Sequence, residues 1–223
     1  MAQPREPDRP HLNRWVYEQL RDALVTGRFV PGRSVTLRGV AEELGVSPMP
    51  VREALRQLVA ERALEMLGNR RVAVPAMSAA RLEELARARS LLEPELAVLA
   101  LPHVDGAGLA RLRSLDRAVD AALAQGAAER YVRANYEFHM GLYRAAPSQV
   151  LLPLVESLWL QVGPLLRLIV GRLGTASFVD RHRAALLAIE ARDPVRLREA
   201  IAADIADGAA ILRAVEVPQG RAA

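Results

Sequence analysis

The chain has no cysteine and no lysine among its 223 residues. Without thiols there is no disulfide framework and no thiolate metal site, a composition that suits a reducing cytosol. All basic side chains are arginine. A GC-rich genome produces that bias as readily as chemistry does, so it carries no functional weight. A long uninterrupted hydrophobic run is missing too. The most apolar stretch, Leu151 to Leu173, is broken by Pro153, Glu156, Gln161, Pro164 and Arg167, which predicts a core helix rather than a membrane span. No secretory signal is read at the start, where Pro4, Pro7 and Pro10 punctuate a polar segment. A strong charge excess is also absent. The formal net charge is +4, too small to argue for nucleic acid by itself. Its distribution says more: residues 1–75 carry 12 arginines against 9 acidic residues, and the remainder 18 against 17.

What the chain does have is 51% hydrophobic residues, enough for a sizeable core in one or two domains, and an unusual segment at residues 36–60. That segment reads as two short helices joined by a tight turn. Ala41 is small enough for close helix packing, Gly45 supplies the turn, and Val51 locks the second helix to the first. Ser47 is placed to cap the second helix, and Pro48 and Pro50 are tolerated in its first turn because those N–H groups have no intrahelical partner. Val51, Leu55, Leu58 and Val59 form the inward stripe. Met49, Arg52, Glu53 and Arg56 are left outward, where a recognition helix meets base edges and phosphates.

The flanking residues extend this unit. Residues 12–27 show helical periodicity through Leu12, Val16, Leu20 and Leu24, after an arm over residues 1–11 that is expected to be disordered. Beyond Leu64, the runs Leu64–Leu67 and Val72–Val74 flank a polar tip of Gly68, Asn69, Arg70 and Arg71, which predicts a short β-hairpin. Three helices followed by a hairpin make a winged helix-turn-helix over residues 12–75, with Arg70 and Arg71 suited to phosphate or minor-groove contact. A solvated turn is the plain alternative for those two arginines. Pro75 to Ser78 marks a boundary, and Ser78 is placed to cap the next helix. From there to residue 215 only helical periodicity is visible, with predicted spans 78–101, 106–125, 127–146, 149–172, 176–192 and 194–215. The expected fold class is mainly α, a winged helix-turn-helix followed by an all-α bundle over residues 78–215.

Five polar residues interrupt the apolar stripes of that bundle. Asn135 and His139 lie four apart within Ala128, Val132, Leu142 and Ala146. His182 falls within Val179, Leu186 and Ile189. Asp204 interrupts Leu197, Ile201, Gly208, Ile211 and Val215, and Arg89 interrupts Leu82, Leu85, Leu92, Leu96 and Leu99. A buried carboxylate or guanidinium without a partner costs several kcal/mol, so these side chains need company. A divalent cation shared by Asn135, His139, His182 and Asp204 would supply it, since imidazole and carboxylate are ordinary zinc ligands and other first-row metals accept them. Arg89 is then left to receive an anion such as the carboxylate of a small ligand. The bland alternative is a satisfied polar cluster in which Asp204 pairs with Arg89.

Leu44-Gly-Val-Ser-Pro-Met-Pro-Val-Arg-Glu-Ala-Leu55, Arg89-Ser-Leu-Leu-Glu93 and Asn135-Tyr-Glu-Phe-His139 together resemble the GntR family of bacterial transcriptional regulators, in its FadR-type branch with an all-helical ligand-binding (FCD) domain. The resemblance spans roughly residues 12 to 215. It implies DNA contacts by Arg38 and Arg52 and by wing residues near Asn69 to Arg71, a metal at Asn135, His139, His182 and Asp204, effector chemistry near Arg89, and a homodimer reading two half-sites. Three positions depart from the family pattern. Pro48 stands where arginine is common, and Arg71 stands where glycine is usual in the wing. Asn135 and Asp204 replace a common aspartate and a histidine, so the carboxylate has changed helix.

The expected function is a cytoplasmic, homodimeric, effector-responsive regulator, read as a repressor and not as an enzyme. It would bind a pseudo-palindromic double-stranded DNA operator, with Arg38, Ser47, Met49, Arg52, Arg56, Asn69, Arg70 and Arg71 on the DNA face. A small carboxylate effector would meet Arg89, the cofactor would be a divalent ion with zinc as first candidate, and no membrane is involved. Two other classes compete. One is a metal-dependent enzyme using two histidines and a carboxylate, which leaves the N-terminal domain without a purpose. The other is an architectural DNA binder, which predicts no effector response.

Overall fold

In a computed structural model of the chain, residues 9–29, 34–67, 71–173 and 181–214 are described. Helix α1 (Arg9–Val25) comes first, then strand β1 (Ser34–Thr36), α2 (Leu37–Leu44) and α3 (Pro48–Ala60), and the strands β2 (Glu65–Leu67) and β3 (Arg71–Ala73) follow. The remaining elements are helical: α4 (Ala79–Ala100), a 3-10 turn at Leu101–His103, α5 (Gly106–Ala124), α6 (Ala128–Tyr143), α7 (Leu151–Leu173), α8 (His182–Glu190) and α9 (Pro194–Ala214). A winged helix-turn-helix joined to an all-α bundle is the fold class the patterning predicts.

Local chemistry explains the helix-turn-helix. The Thr36 hydroxyl accepts from the Gly39 N–H at 3.0 Å and caps α2. Gly45 ends it at φ +65°, a left-handed conformation that costs glycine nothing, and the Val46 N–H returns to the Ala41 carbonyl at 3.0 Å. Ala41, Val51, Leu55 and Leu58 are buried with Val16, Leu20 and Leu24 of α1 in one core. Ser47 does hold the cap position of α3, yet its hydroxyl makes no capping bond. The prolines of the first turn leave fewer N–H groups to donate to that hydroxyl, so the cap expected of Ser47 is absent.

Other expectations need correction. Helix α1 begins at Arg9, inside the arm expected over residues 1–11, and stops at Val25, with the expected C-cap at Thr26 and Gly27, the glycine at φ +69°. The wing is not a lone hairpin. Strand β1 joins it in the order β1-β3-β2, all antiparallel, with Val35 and Met66 both opposite Val72. A strand of three residues is too short for alternation to reveal. Leu99, placed in the inward stripe of α4, is 47% exposed. Over its length α4 drifts relative to a fixed heptad spacing, so a stripe drawn through Leu82 does not stay inward to the end. Asn69, Arg70, Val179, Val215 and the predicted start of the fifth bundle helix at 176 lie outside the described residues.

The boundary expected at Pro75 to Ser78 does not interrupt the packing. Leu160 of α7 is 1% exposed and belongs to the core of the winged unit. The Gly163 Cα faces the end of α1 so closely that a Cβ there would lie 2.8 Å from the Val25 Cα and 2.9 Å from its carbonyl oxygen. Around this seam Arg133 of α6 pairs with Asp22 of α1 at 2.5 and 2.9 Å, and Ser157 donates to the Glu61 carbonyl at 2.8 Å. Helices α6 and α7 therefore carry the winged unit directly.

Candidate functional site

The outer face of α3 is built as its spacing requires. With Val51, Leu55 and Leu58 turned inward, Met49 is 61% exposed, and Arg52, Glu53 and Arg56 are exposed beside it. Ser47 stands exposed at the head of the helix, and Arg38 on α2 and Arg71 on β3 are exposed as well. Arg56 lies 3.5 Å from Glu53, both in solvent, a pair worth little and easily exchanged for a phosphate.

The second candidate site lies inside the bundle. His139 of α6 is fully buried and His182, first residue of α8, is 4% exposed. Their Nε2 atoms face each other at 3.3 Å, and the His139 Nε2 lies 3.2 Å from Oδ2 of Asp204 on α9. One ligand atom from each of the three falls within 4.8 Å of the others. Phe138 stacks on the His182 ring with centroids 4.0 Å apart and 21° between planes, holding that imidazole in place.

Asn135, one turn before His139, is buried and lines a cavity of about 50 Å³ together with Arg89, Asp204, Trp159 and Tyr131. Arg89 does not stand free in this cavity, nor is Asp204 its partner. Its guanidinium donates from Nε to Glu93 Oε1 at 2.5 Å and lies 4.4 Å from the Trp159 ring centroid. Burial works against the Arg89 charge, and Glu93 more than restores it, so the guanidinium is held above its ordinary range.

Sequence reasoning missed three members of this cluster. Tyr143 donates to Glu93 Oε2 at 2.8 Å and faces Nδ1 of His139 at 3.1 Å, and Asp116 of α5 places Oδ1 3.4 Å from Nδ1 of His182. Glu93 and Tyr143 each follow a singled-out residue by four positions, the spacing at which helical side chains meet, so that signal was available. Asp116 had none, because only the packing of α5 against α8 brings it in.

Full burial pushes the His139 imidazolium below its ordinary range, against the pull of Asp204. The unfolded chain then binds a proton there that the folded chain resists. This contribution to stability is present above about pH 6.5, where an unfolded histidine titrates, and is lost as pH falls toward the lowered native value. Chelator-treated protein should therefore melt at progressively lower temperature below about pH 6.5, and His139→Gln should flatten that dependence. An unchanged slope in the variant would assign the acid lability elsewhere.

Both units have counterparts among known proteins. Residues 12–74 match the family described as bacterial regulatory proteins, gntR family, and residues 84–207 match the FCD domain. The chain is 29% identical over 200 residues to the HTH-type transcriptional regulator McbR of Escherichia coli K12, covering 88% of this chain and 90% of the relative. It is 27% identical to the HTH-type transcriptional repressor GlaR of the same organism, over 82% of this chain and 87% of GlaR. It is also 28% identical to a probable D-xylose utilization operon transcriptional repressor of Paenarthrobacter nicotinovorans, over 86% of each. The solved structure of Escherichia coli McbR superposes with a TM-score of 0.85, covering 91% of this chain and 97% of that one. No described helix is long and apolar enough to cross a membrane. The exposed recognition helix, the wing and the FCD bundle thus find their match in regulators rather than enzymes, and the chain is a DNA-binding transcriptional regulator belonging to the gntR family of bacterial regulatory proteins.

Proposed function

We propose that the chain is a cytoplasmic, homodimeric repressor whose operator affinity is set by a small carboxylate effector bound beside a divalent cation in the FCD bundle. The observation that carries the reading is the convergence of His139, His182 and Asp204 from three helices onto one point, with Asp204 also lining the cavity. The donor set fits a cation. Tyr143 gives its proton to Glu93, so its oxygen accepts from Nδ1–H of His139, and the Nε2 lone pair of that ring then meets a carboxylate oxygen at 3.2 Å. Two acceptors at that distance repel unless a cation or a proton stands between them.

His139, His182 and Asp204 would hold the ion, with Asn135 on the cavity wall as the fourth candidate. Once bound, the ion would offer an open coordination position to an anion. A cavity of about 50 Å³ has space for roughly four water-sized groups, which favours a small acid. Because Glu93 already engages Arg89, that residue would contribute positive potential and the Trp159 contact rather than an unclaimed fork. Helix α7 would transmit the event. Trp159 lines the cavity, while the next residue, Leu160, sits in the core of the winged unit. Effector and operator would change each other's affinity reciprocally.

At the DNA, Arg52 would read a base, with Ser47 and Met49 beside it, and Arg38, Arg56 and the wing residues Asn69, Arg70 and Arg71 would hold the backbone. Arg52→Ala should cost about 1–3 kcal/mol at the operator and relax the preference at one position per half-site. Arg56→Ala should weaken all sequences alike and lower the salt slope by about one. Titrations at several salt concentrations separate the two. Equal operator affinity for Arg52→Ala and wild type would place the recognition face elsewhere. Sedimentation should give twice the 24.4 kDa chain mass, and a pseudo-palindromic site follows from that symmetry.

The metal reading is tested by elemental analysis of zinc-loaded protein. His139→Ala, His182→Ala and Asp204→Asn should each lose metal and melt earlier, because metal binding is coupled to folding of the bundle. Full occupancy in both His182→Ala and Asp204→Asn would leave a satisfied polar cluster as the better account.

A further inference from the structure

The three ligand atoms are useful to a cation only if both imidazoles present Nε2 as a lone pair, and nothing in the rings themselves ensures that. A neutral imidazole carries its proton on either nitrogen, and the choice is set by whatever the other nitrogen meets. Here each Nδ1 faces an oxygen, for His139 that of Tyr143 one turn on along α6 and for His182 that of Asp116 on α5. His139 Nδ1 is 3.1 Å from the Tyr143 oxygen, and Tyr143 is itself committed as a donor to Glu93 Oε2 at 2.8 Å. His182 Nδ1 lies 3.4 Å from Asp116 Oδ1, a charge contact between two buried atoms that falls short of hydrogen-bond geometry as they stand.

We propose that Glu93, Tyr143 and Asp116 are positioning residues for the cation site, holding His139 and His182 as Nδ1–H tautomers so that both Nε2 atoms face Asp204. This rests on the metal reading given above. The Glu93–Tyr143 arm works in one direction only. A carboxylate has no proton to give, so it takes that of the phenol, and the phenol oxygen is left as acceptor for Nδ1–H. Tyr143 and Glu93 are each 0% exposed, which shields the arm from exchange with water. Glu93 also spends its other oxygen on Arg89, so one carboxylate orients both the histidine and the guanidinium on the cavity wall. Asp116 of α5, beside His182, forms the second arm.

Tyr143→Phe removes the oxygen and keeps the ring, and Asp116→Ala removes the second arm on a different helix. Zinc affinity measured by chelator competition should fall about 10–100-fold in each variant. Histidine ¹⁵N shifts of the metal-free protein give an independent readout that mere packing does not move. In the wild type the His139 and His182 signals should be those of the Nδ1–H form, shifting toward the other tautomer at His139 in Tyr143→Phe and at His182 in Asp116→Ala. Affinities within about twofold of wild type in both variants, or unaltered tautomers, overturn the inference while leaving the ligand set intact. If the wild type takes up no zinc, the metal reading falls instead, and the ¹⁵N shifts still decide what these three residues do.

Discussion

Arg89→Ala should cost the folded chain about 3–5 kcal/mol, because it strands Glu93 in the interior without its cation. Glu93 is 0% exposed, and after the substitution its carboxylate keeps, among the described residues, the Tyr143 hydroxyl as its donor. The Trp159 face loses its guanidinium as well. For a chain of this length the melting temperature should drop by roughly 6–20 °C. Replacing the pair together, as Arg89→Met with Glu93→Leu, should recover most of the loss, since buried ion pairs rarely outperform apolar groups of similar volume. Thermal unfolding of the two variants side by side measures this. A loss below about 1 kcal/mol for Arg89→Ala would mean that water reaches Glu93 and that the pair is not buried in solution. A failed effector response in Arg89→Ala alone would be uninformative, because the variant disturbs Glu93, Tyr143 and through them His139. Arg89→Lys, which retains the charge, is the cleaner probe.

Gly163→Val should separate the bundle from the winged unit. Any Cβ at this position meets the α1 backbone at 2.8–2.9 Å, and backbone cannot rotate away as a side chain does. Overpacking of this kind costs about 1–3 kcal/mol, and a branched side chain belongs at the upper end. The strain falls on the seam that also holds Leu160, the Arg133–Asp22 pair and the Ser157 bond to Glu61. The variant is therefore expected to lose cooperative unfolding, to expose the end of α1 to faster hydrogen exchange, and to uncouple operator affinity from effector. Gly163→Ala should show the same changes at smaller amplitude. Wild-type exchange rates in α1 for Gly163→Val would show that α7 does not brace the winged unit.

The two sites differ in how far the residues alone reveal them. The exposed face of α3 was legible because it is local. Ala41, Gly45 and Val51 set the turn, and once Val51, Leu55 and Leu58 point inward the positions of Arg52 and Arg56 follow from helix geometry. The same reasoning failed at Ser47, where periodicity cannot report whether a hydroxyl finds a donor, and at β1, whose three residues gain meaning only from Val35 lying opposite Val72.

Within the bundle, periodicity singled out Asn135, His139, His182, Asp204 and Arg89, because a polar residue on an apolar stripe is improbable without a partner. It could not choose the partners. That Arg89 meets Glu93 and not Asp204 depends on rotamers and on the Trp159 face, which only packing brings near. Asp116 reaches His182 through the docking of α5 on α8.

The sequence by itself determined the winged helix-turn-helix, the all-helical second unit, the arginines of the exposed helix face and the polar residues that interrupt the apolar stripes, since each of these is written in spacing along one element. Tertiary structure decided what spacing cannot encode. It brought the Nε2 atoms of His139 and His182 to 3.3 Å, set Glu93 between Arg89 and Tyr143, and seated Gly163 against the α1 backbone. Contacts between helices depend on their crossing and depth, which many side chains settle jointly and no local pattern records.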